Sequence, residues 1–197
     1  TMANDGRRIP LLPRADWTEK ARDLFAVLEG PEAREAGPRY DIVLQLAQNP
    51  ELTIPFLEYN KHLMFHSSLS HRVRELVTLA VAWSCKSEYE WLSHVRDGLK
   101  VGLTDDDIAA VKQGAASPHW DEFNSDLILL VDEMRDQYDI SDALWSRLSE
   151  RFSPREMMDL MFTVGNYIMF SSILNGMRAR PEAGEAGEAL AAKYGRP

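Results

Sequence analysis

The chain has 197 residues, is 45% apolar and 27% charged, and carries a net charge of −9, the balance of a water-soluble globular protein able to bury a core without metal or disulfide staples. The negative charge and singly scattered Lys and Arg argue against nucleic acid as a partner, which demands clustered cations. One cysteine, Cys85, excludes an intrachain disulfide and a cysteine-based zinc cluster. No uninterrupted apolar run reaches the ~18–20 residues of a membrane span, and no basic stretch leads into an apolar signal core, so a cytoplasmic location without membrane contact is expected.

Apolar residues recur at intervals of three and four nearly throughout, and strand-like alternation is absent, so the expected fold is all-α. Residues 1–16, with Pro10 and Pro13, read as an extended arm, and Asp16 as the cap of a helix over 17–28. Gly30-Pro31 and Gly37-Pro38 bracket a polar loop. A short helix is expected over 42–47, then one opened by Asn49-Pro50 that runs to about residue 66 and tolerates Pro55 near its start. Ser70 caps the next helix, whose Val73, Leu76, Val77, Leu79, Ala80 and Val81 predict burial on most sides. A break at 84–86 separates it from a helix ending at Gly98 or Gly102.

Thr104-Asp105-Asp106-Asp107 is an N-terminus signature, a hydroxyl cap followed by acids that complement the helix dipole, and that helix ends at Gly114. Residues 120–138 predict a long amphipathic helix with Phe123, Leu127, Leu130, Val131 and Met134 on one side. Ser141 caps a shorter helix to 150. Ser153-Pro154-Arg155-Glu156 then combines a capping box with a first-turn proline, starting a helix or helix pair to about 178. The tail from 181, rich in Ala, Gly and Glu, predicts a peripheral helix. Laying Arg155-Glu156 on Arg74-Glu75 also superposes Leu160 on Leu79 and Asn175 on His94, which suggests an internal pseudo-repeat of helix, break and helix. One domain over 1–197 is expected, with its core at 50–180.

Glu90 and His94 are four apart, on one helix face a turn from each other. A carboxylate there orients an imidazole and stabilises its protonated form, and such a pair can take a proton from carbon beside a carbonyl or protonate an enolate. Glu75, on the preceding helix, completes the cluster if the two helices pack antiparallel. Arg74 or Arg72 offers a fork for a substrate carboxylate, and Ser87 and Trp91, which flank the pair, are further candidates for binding substrate. Against this stands a structural reading in which Ser87-Glu88-Tyr89-Glu90 is a capping box, Ser87 capping and Glu90 reaching back. His62 and His66 share a helix face with Glu58, the spacing of a metal-binding pair, but the Glu that follows the first His in zinc proteases is Leu63 here. His71 and His119 have no evident partner in the sequence.

Glu75, Ser87, Glu90 and His94 have the spacing of the alkylhydroperoxidase D motif: Glu, eleven residues, Cys, two residues, Cys, three residues, His. The chain thus resembles the carboxymuconolactone decarboxylase and alkylhydroperoxidase D-like superfamily, most specifically over 50–115 and also over 145–175. The resemblance implies a helical bundle in which Glu75 and His94 relay protons. The two cysteine positions hold Ser87 and Glu90, so the dithiol peroxidase reaction is not expected. What it implies instead is cofactor-independent acid/base chemistry, decarboxylation or isomerisation of a small carboxylated or carbonyl substrate, with His94, Glu90 and Glu75 catalytic. The alternatives are an antioxidant reaction through Cys85 alone, and a non-catalytic ligand-binding oligomer with a decayed site. Relatives form trimers and higher rings, so a homo-oligomer, trimer or hexamer, is expected.

Overall fold

Polar side chains set most of the helix starts. The computed structural model describes residues 6–181 and 185–197, and every regular element among them is a helix. The described backbone divides into two compact units, one of residues 6–66 with 176–181, the other of 67–175 with 185–197.

The first unit holds α1 (Glu19–Glu29), α2 (Ala33–Ala36), α3 (Asp41–Leu46) and α4 (Pro50–Phe65). Thr18, not Asp16, caps α1 by accepting from Ala21 N at 3.1 Å. Asp16 is taken up in a single 3-10 turn, Arg14–Asp16, that precedes the cap. The stretch read as a loop between Gly30 and Pro38 contains the one-turn α2, closed at Gly37, whose φ of 91° suits glycine. The tip of the Trp17 ring lies where a Cβ at Gly37 would point, so the same position also needs the missing side chain. The described part of the arm lies along α3: Leu12 N donates to Leu44 O, and Gln45 and Gln48 side-chain amides donate to Ile9 O and Pro10 O. Asn49 caps α4 through Leu52 N.

The second unit is built around α5 (His71–Ser84), which packs on α6 (Glu88–Lys100), α7 (Asp105–Val111) and α8 (Glu122–Asp136). Apart from Arg74, every residue from Val73 to Ala82 is buried, as expected of a central helix. The end of α5 is a left-handed C-cap: Lys86 has a φ of 54°, and Ser87 N reaches back to Ala82 O at 2.9 Å. That reversal sends α6 back along α5. Gly98 permits the close approach, because a Cβ there would meet Leu103 at 2.8 Å and Leu79 at 3.3 Å.

The chain continues through α9 (Asp142–Ser149), α10 (Pro154–Met177) and α11 (Glu185–Tyr194). The hydroxyl cap expected at Thr104 forms, as a full capping box with Asp107, and the capping box expected at Ser153 forms with Glu156. The helix–break–helix repeat does not: residues 154–177 make one unbroken helix where the repeat would need an interruption. That helix is long and apolar enough to cross a membrane by composition, contrary to the reading of short apolar runs alone. Half of its apolar window is buried in the protein, however, through Met157, Leu160, Val164, Tyr167 and Leu174, as in a soluble core helix. The tail is not peripheral either, although residues 182–184 fall outside the described residues. Ala191 and Tyr194 of α11 join the core, and the Trp91 indole N–H donates to Gly195 O at 3.0 Å.

Candidate functional site

The α5–α6 reversal places Glu75 opposite His94. Glu75 Oε2 lies 2.6 Å from His94 Nδ1, and Glu90 Oε2 lies 3.1 Å from His94 Nε2. One imidazole is thereby held at both ring nitrogens by carboxylates from two helices. All three side chains are buried, His94 retaining 10% of its side-chain surface. Arg74 donates to Glu75 Oε1 from Nη2 at 2.9 Å and from Nε at 3.2 Å, and its Nη1 meets His71 Nδ1 at 2.9 Å. The edge of the Tyr167 ring, from α10, packs against His94 with centroids 5.0 Å apart and planes at 86°.

Electrostatics follow from this enclosure. Burial is the largest single influence on His94 and pulls its pKa down, but Glu75 and then Glu90 together outweigh it and push the pKa up to about 10. Burial likewise raises the Glu75 carboxyl, yet His94 and Arg74 more than offset it and hold the group below its ordinary value. Tyr167 goes the other way: burial, then the negative charge of Glu90 and Glu75, lifts its phenol well above the ordinary range. At neutral pH His94 is therefore an imidazolium and Tyr167 an intact phenol. Opposite charges stand side by side, Glu75 against both His94 and Arg74, which keeps a buried carboxylate tolerable in the interior.

The structure brings Glu75, Glu90, His94 and Arg74 together and corrects the expected parts of the others. Ser87 precedes α6 without capping it, and its buried Oγ has no hydrogen-bond partner. The capping box read at 87–90 is therefore absent, because Glu90 turns to His94 instead of reaching back. Trp91 has no exposed surface; it packs against Trp83 with ring centroids 4.9 Å apart and serves the core, not a substrate. The Arg74 fork is already committed to Glu75 and His71, so it is not an open anion site in this chain. Arg72 is also engaged, with Asn124 at 2.9 Å and Asp107 at 3.6 Å.

Tyr167 was missed from sequence, and no spacing rule links it to a helix seventy positions earlier. His119, which lacked an evident partner, meets Asp107 Oδ1 at 2.8 Å. His62 and His66 are exposed, with ring centroids 6.1 Å apart, and no cluster of three or more metal-ligating side chains occurs among the described residues. Nor do Glu75, Glu90 and His94 converge on one point, since the carboxylates occupy opposite ring nitrogens.

A helical unit with a buried Glu–His–Glu cluster across an antiparallel helix pair is the class that these observations define. Residues 50–130 match the carboxymuconolactone decarboxylase family, and this central part of the chain is similar to that family. Three solved structures share the fold. An uncharacterised peroxidase-related protein of Ralstonia eutropha JMP134, described as an alkylhydroperoxidase AhpD core, is 18% identical with a TM-score of 0.72, covering 97% of this chain and 98% of its own. A peroxidase-related protein of Silicibacter sp. TM1040 is 17% identical with a TM-score of 0.72, over 93% and 95%. The debrominase Bmp8 is 12% identical with a TM-score of 0.72, over 95% and 97%. At such identities the likeness is one of fold. No curated protein matches by sequence.

Proposed function

We propose that the chain is a cofactor-independent proton-transfer enzyme that decarboxylates or isomerises a small carboxylated or carbonyl compound. The observation that carries this reading is the His94 imidazolium, held at Nδ1 by Glu75 and at Nε2 by Glu90. In a decarboxylation the substrate C–C bond breaks, CO2 leaves, and the electron pair remains as an enolate. The Nε2–H of His94 then delivers its proton to the carbanionic carbon, and water reloads the ring. The role of His94 is thus that of a proton donor rather than the resting base, because its proton is retained far above neutrality. Glu90, on the same ring nitrogen, receives or relays protons in an isomerisation. Glu75 fixes the ring, and Tyr167 packs its edge against it.

The similarity of residues 50–130 to the carboxymuconolactone decarboxylase family supports the reading. The dithiol reaction of peroxidase relatives is not part of it, because Ser87 and Glu90 stand at the cysteine positions. Cys85 is a poor substitute: burial, the strongest influence on its thiol, raises the pKa and disfavours the thiolate. The net charge of −9 suits a small-molecule substrate better than nucleic acid, and the cytoplasm remains the proposed location.

A second reading draws on the near closure of the cluster: the two carboxylates and the imidazole would then serve as a buried pin between α5 and α6. Screening the purified protein against small lactone and 3-oxo acids, following CO2 release and solvent deuterium incorporation, separates the two. The enzyme reading expects turnover that falls at least ~100-fold in His94→Gln and Glu90→Gln. Full turnover in a folded His94→Gln variant would sink it.

A further inference from the structure

Three hydroxyl-bearing residues of the second unit, Thr78 on α5, Ser87 before α6 and Ser171 on α10, have no exposed surface at all. Ser87 Oγ and Ser171 Oγ have no hydrogen-bond partner, and Thr78 Oγ1 makes no formed hydrogen bond although it faces the Tyr167 phenol. A helix offers such groups an easy alternative, the carbonyl four positions back. Thr163 and Ser172 on α10 take it, donating to Asp159 O at 2.6 Å and to Ile168 O at 2.9 Å. Thr78 and Ser171 do not. Burying a polar group in this way costs stability, a cost that a bound molecule able to complete the hydrogen bonds removes.

All three residues lie on the helices that build the Glu–His–Glu cluster, and on the same side of it. α6 runs back along α5 with Glu75 level with His94, and α10 brings Tyr167 to the same level. The Asn175 amide donates to Cys85 O at 2.9 Å, so α10 follows α5 in the same direction. At the helical rise per residue, Thr78 and Ser171 stand about 4.5 and 6 Å beyond the level of His94, as does Glu90, with Ser87 one turn further. Of the charged groups, Glu90 acts most strongly on the Tyr167 phenol. The hydroxyls of Thr78 and Tyr167 and the Glu90 carboxylate therefore border one small region.

The chemistry of that region selects its ligand. Its cations are engaged, Arg74 with Glu75 and His71, and His94 with Glu75 and Glu90. Burial first, then Glu90 and Glu75 against the weaker Arg74, keep the Tyr167 phenol protonated, so the local field is negative. That field repels a carboxylate. A neutral carbonyl oxygen, with two lone pairs for two hydroxyl donors, meets no such penalty.

We propose that Thr78, Tyr167, Ser87 and Ser171 form the substrate site beside Glu90, and that it takes an uncharged ketone or lactone with its carbonyl oxygen on the Thr78 and Tyr167 hydroxyls. The proposal rests on the proton-transfer reading of the cluster and narrows its substrate. Glu90 takes a proton from the carbon beside the carbonyl; the C–H electron pair becomes the C=C bond of an enolate, and the carbonyl π pair moves onto oxygen. Negative charge passes from Glu90 to that oxygen, so the interior gains none, and the two hydroxyls already point where it arrives. Glu90 then returns the proton to carbon. Returned to a different carbon of a conjugated substrate, it completes an isomerisation. Ser87 and Ser171 serve further oxygens, such as the ring oxygen of a lactone.

Cyclohexanone and cyclohexanecarboxylate, similar in size but neutral and anionic, are the probes that test the site. Wild-type protein should bind the ketone at least ~10-fold more tightly than the acid, and the 13C resonance of its labelled carbonyl should move downfield. Thr78→Val and Tyr167→Phe should each weaken ketone binding about 3–10-fold and reverse part of that movement. Without ligand, Thr78→Val and Ser171→Ala should melt about 2–4 °C above wild type, because each removes a buried hydroxyl that the fold leaves unsatisfied. Hydroxyls kept only for structure would give the opposite sign. Deuterium exchange at the α carbons of cyclohexanone in heavy water, lost in Glu90→Gln, reads the proton-transfer step separately. Ketone binding without exchange would support the site and sink the proton-transfer reading. The proposal itself is overturned by no saturable ketone binding at millimolar concentration, by equal binding of the carboxylate, or by unchanged ketone affinity in both Thr78→Val and Tyr167→Phe.

Discussion

Glu75 and His94 are nineteen positions apart in the chain and 2.6 Å apart in the fold. This contact makes the imidazole a resident cation. His94 should hold its proton from acid to well past neutrality, with its pKa at about 10. Ring 15N and 1H chemical shifts followed from pH 5 to pH 11 check it directly. A titration midpoint near 6.5 would show that the carboxylates do not grip the ring.

The same contact sets a dependence of stability on pH. The folded pKa of His94 is raised above the unfolded value near 6.5, so its stabilising contribution is complete below about 6.5 and is lost as pH climbs through about 10. Glu75 is lowered below its ordinary 4.5. Its contribution is complete above that value and disappears as pH falls through the depressed folded pKa. Melting temperatures should therefore decline on the alkaline side of about 6.5, and His94→Gln should flatten that decline. Parallel curves for the two proteins would refute the assignment.

Removing one member of the cluster leaves charge behind in the core. His94→Ala strands two carboxylates that are 2% and 3% exposed in the intact fold, and breaking a buried pair this way costs about 3–5 kcal/mol. Urea unfolding should register that loss. Glu75→Gln should be milder, since Glu90 still faces the ring, and should bring the His94 pKa down.

The C-terminal helix is expected to matter for the whole second unit. Tyr194 is 6% exposed and its hydroxyl donates to Asp105 at 2.6 Å. Tyr194→Ala should cost about 3 kcal/mol, as for other large-to-small changes at buried aromatics. A change below about 0.5 kcal/mol in chemical denaturation would mean that α11 is not docked in solution.

Cys85 gives a prediction of the opposite kind. Its half-buried thiol is raised by burial and has no second cysteine in the chain. Peroxide consumption with dithiothreitol as reductant should be no faster for wild type than for Cys85→Ser. A clear deficit in the variant would revive the antioxidant alternative.

The sequence alone determined the helices, and for a local reason. Caps such as Thr104 with Asp107 and Ser153 with Glu156 involve residues three apart, so their chemistry is written in the spacing. The pairing of Glu90 with His94 is local in the same sense, one helical turn. Ser87 shows the limit even at short range, since the spacing of a capping box was present but Glu90 had a better partner outside it. What only the tertiary structure decided were matters of competition and distance. A left-handed turn at Lys86 was needed before Glu75 could reach His94. Tyr167 joined the cluster from a helix whose apolar pattern looks the same for a core residue as for a site residue. The protonation of His94 then depends on both carboxylates and on burial together, a balance that requires the positions of all three groups. Spacing can propose an acid and a base; only the assembled charges say which one holds the proton.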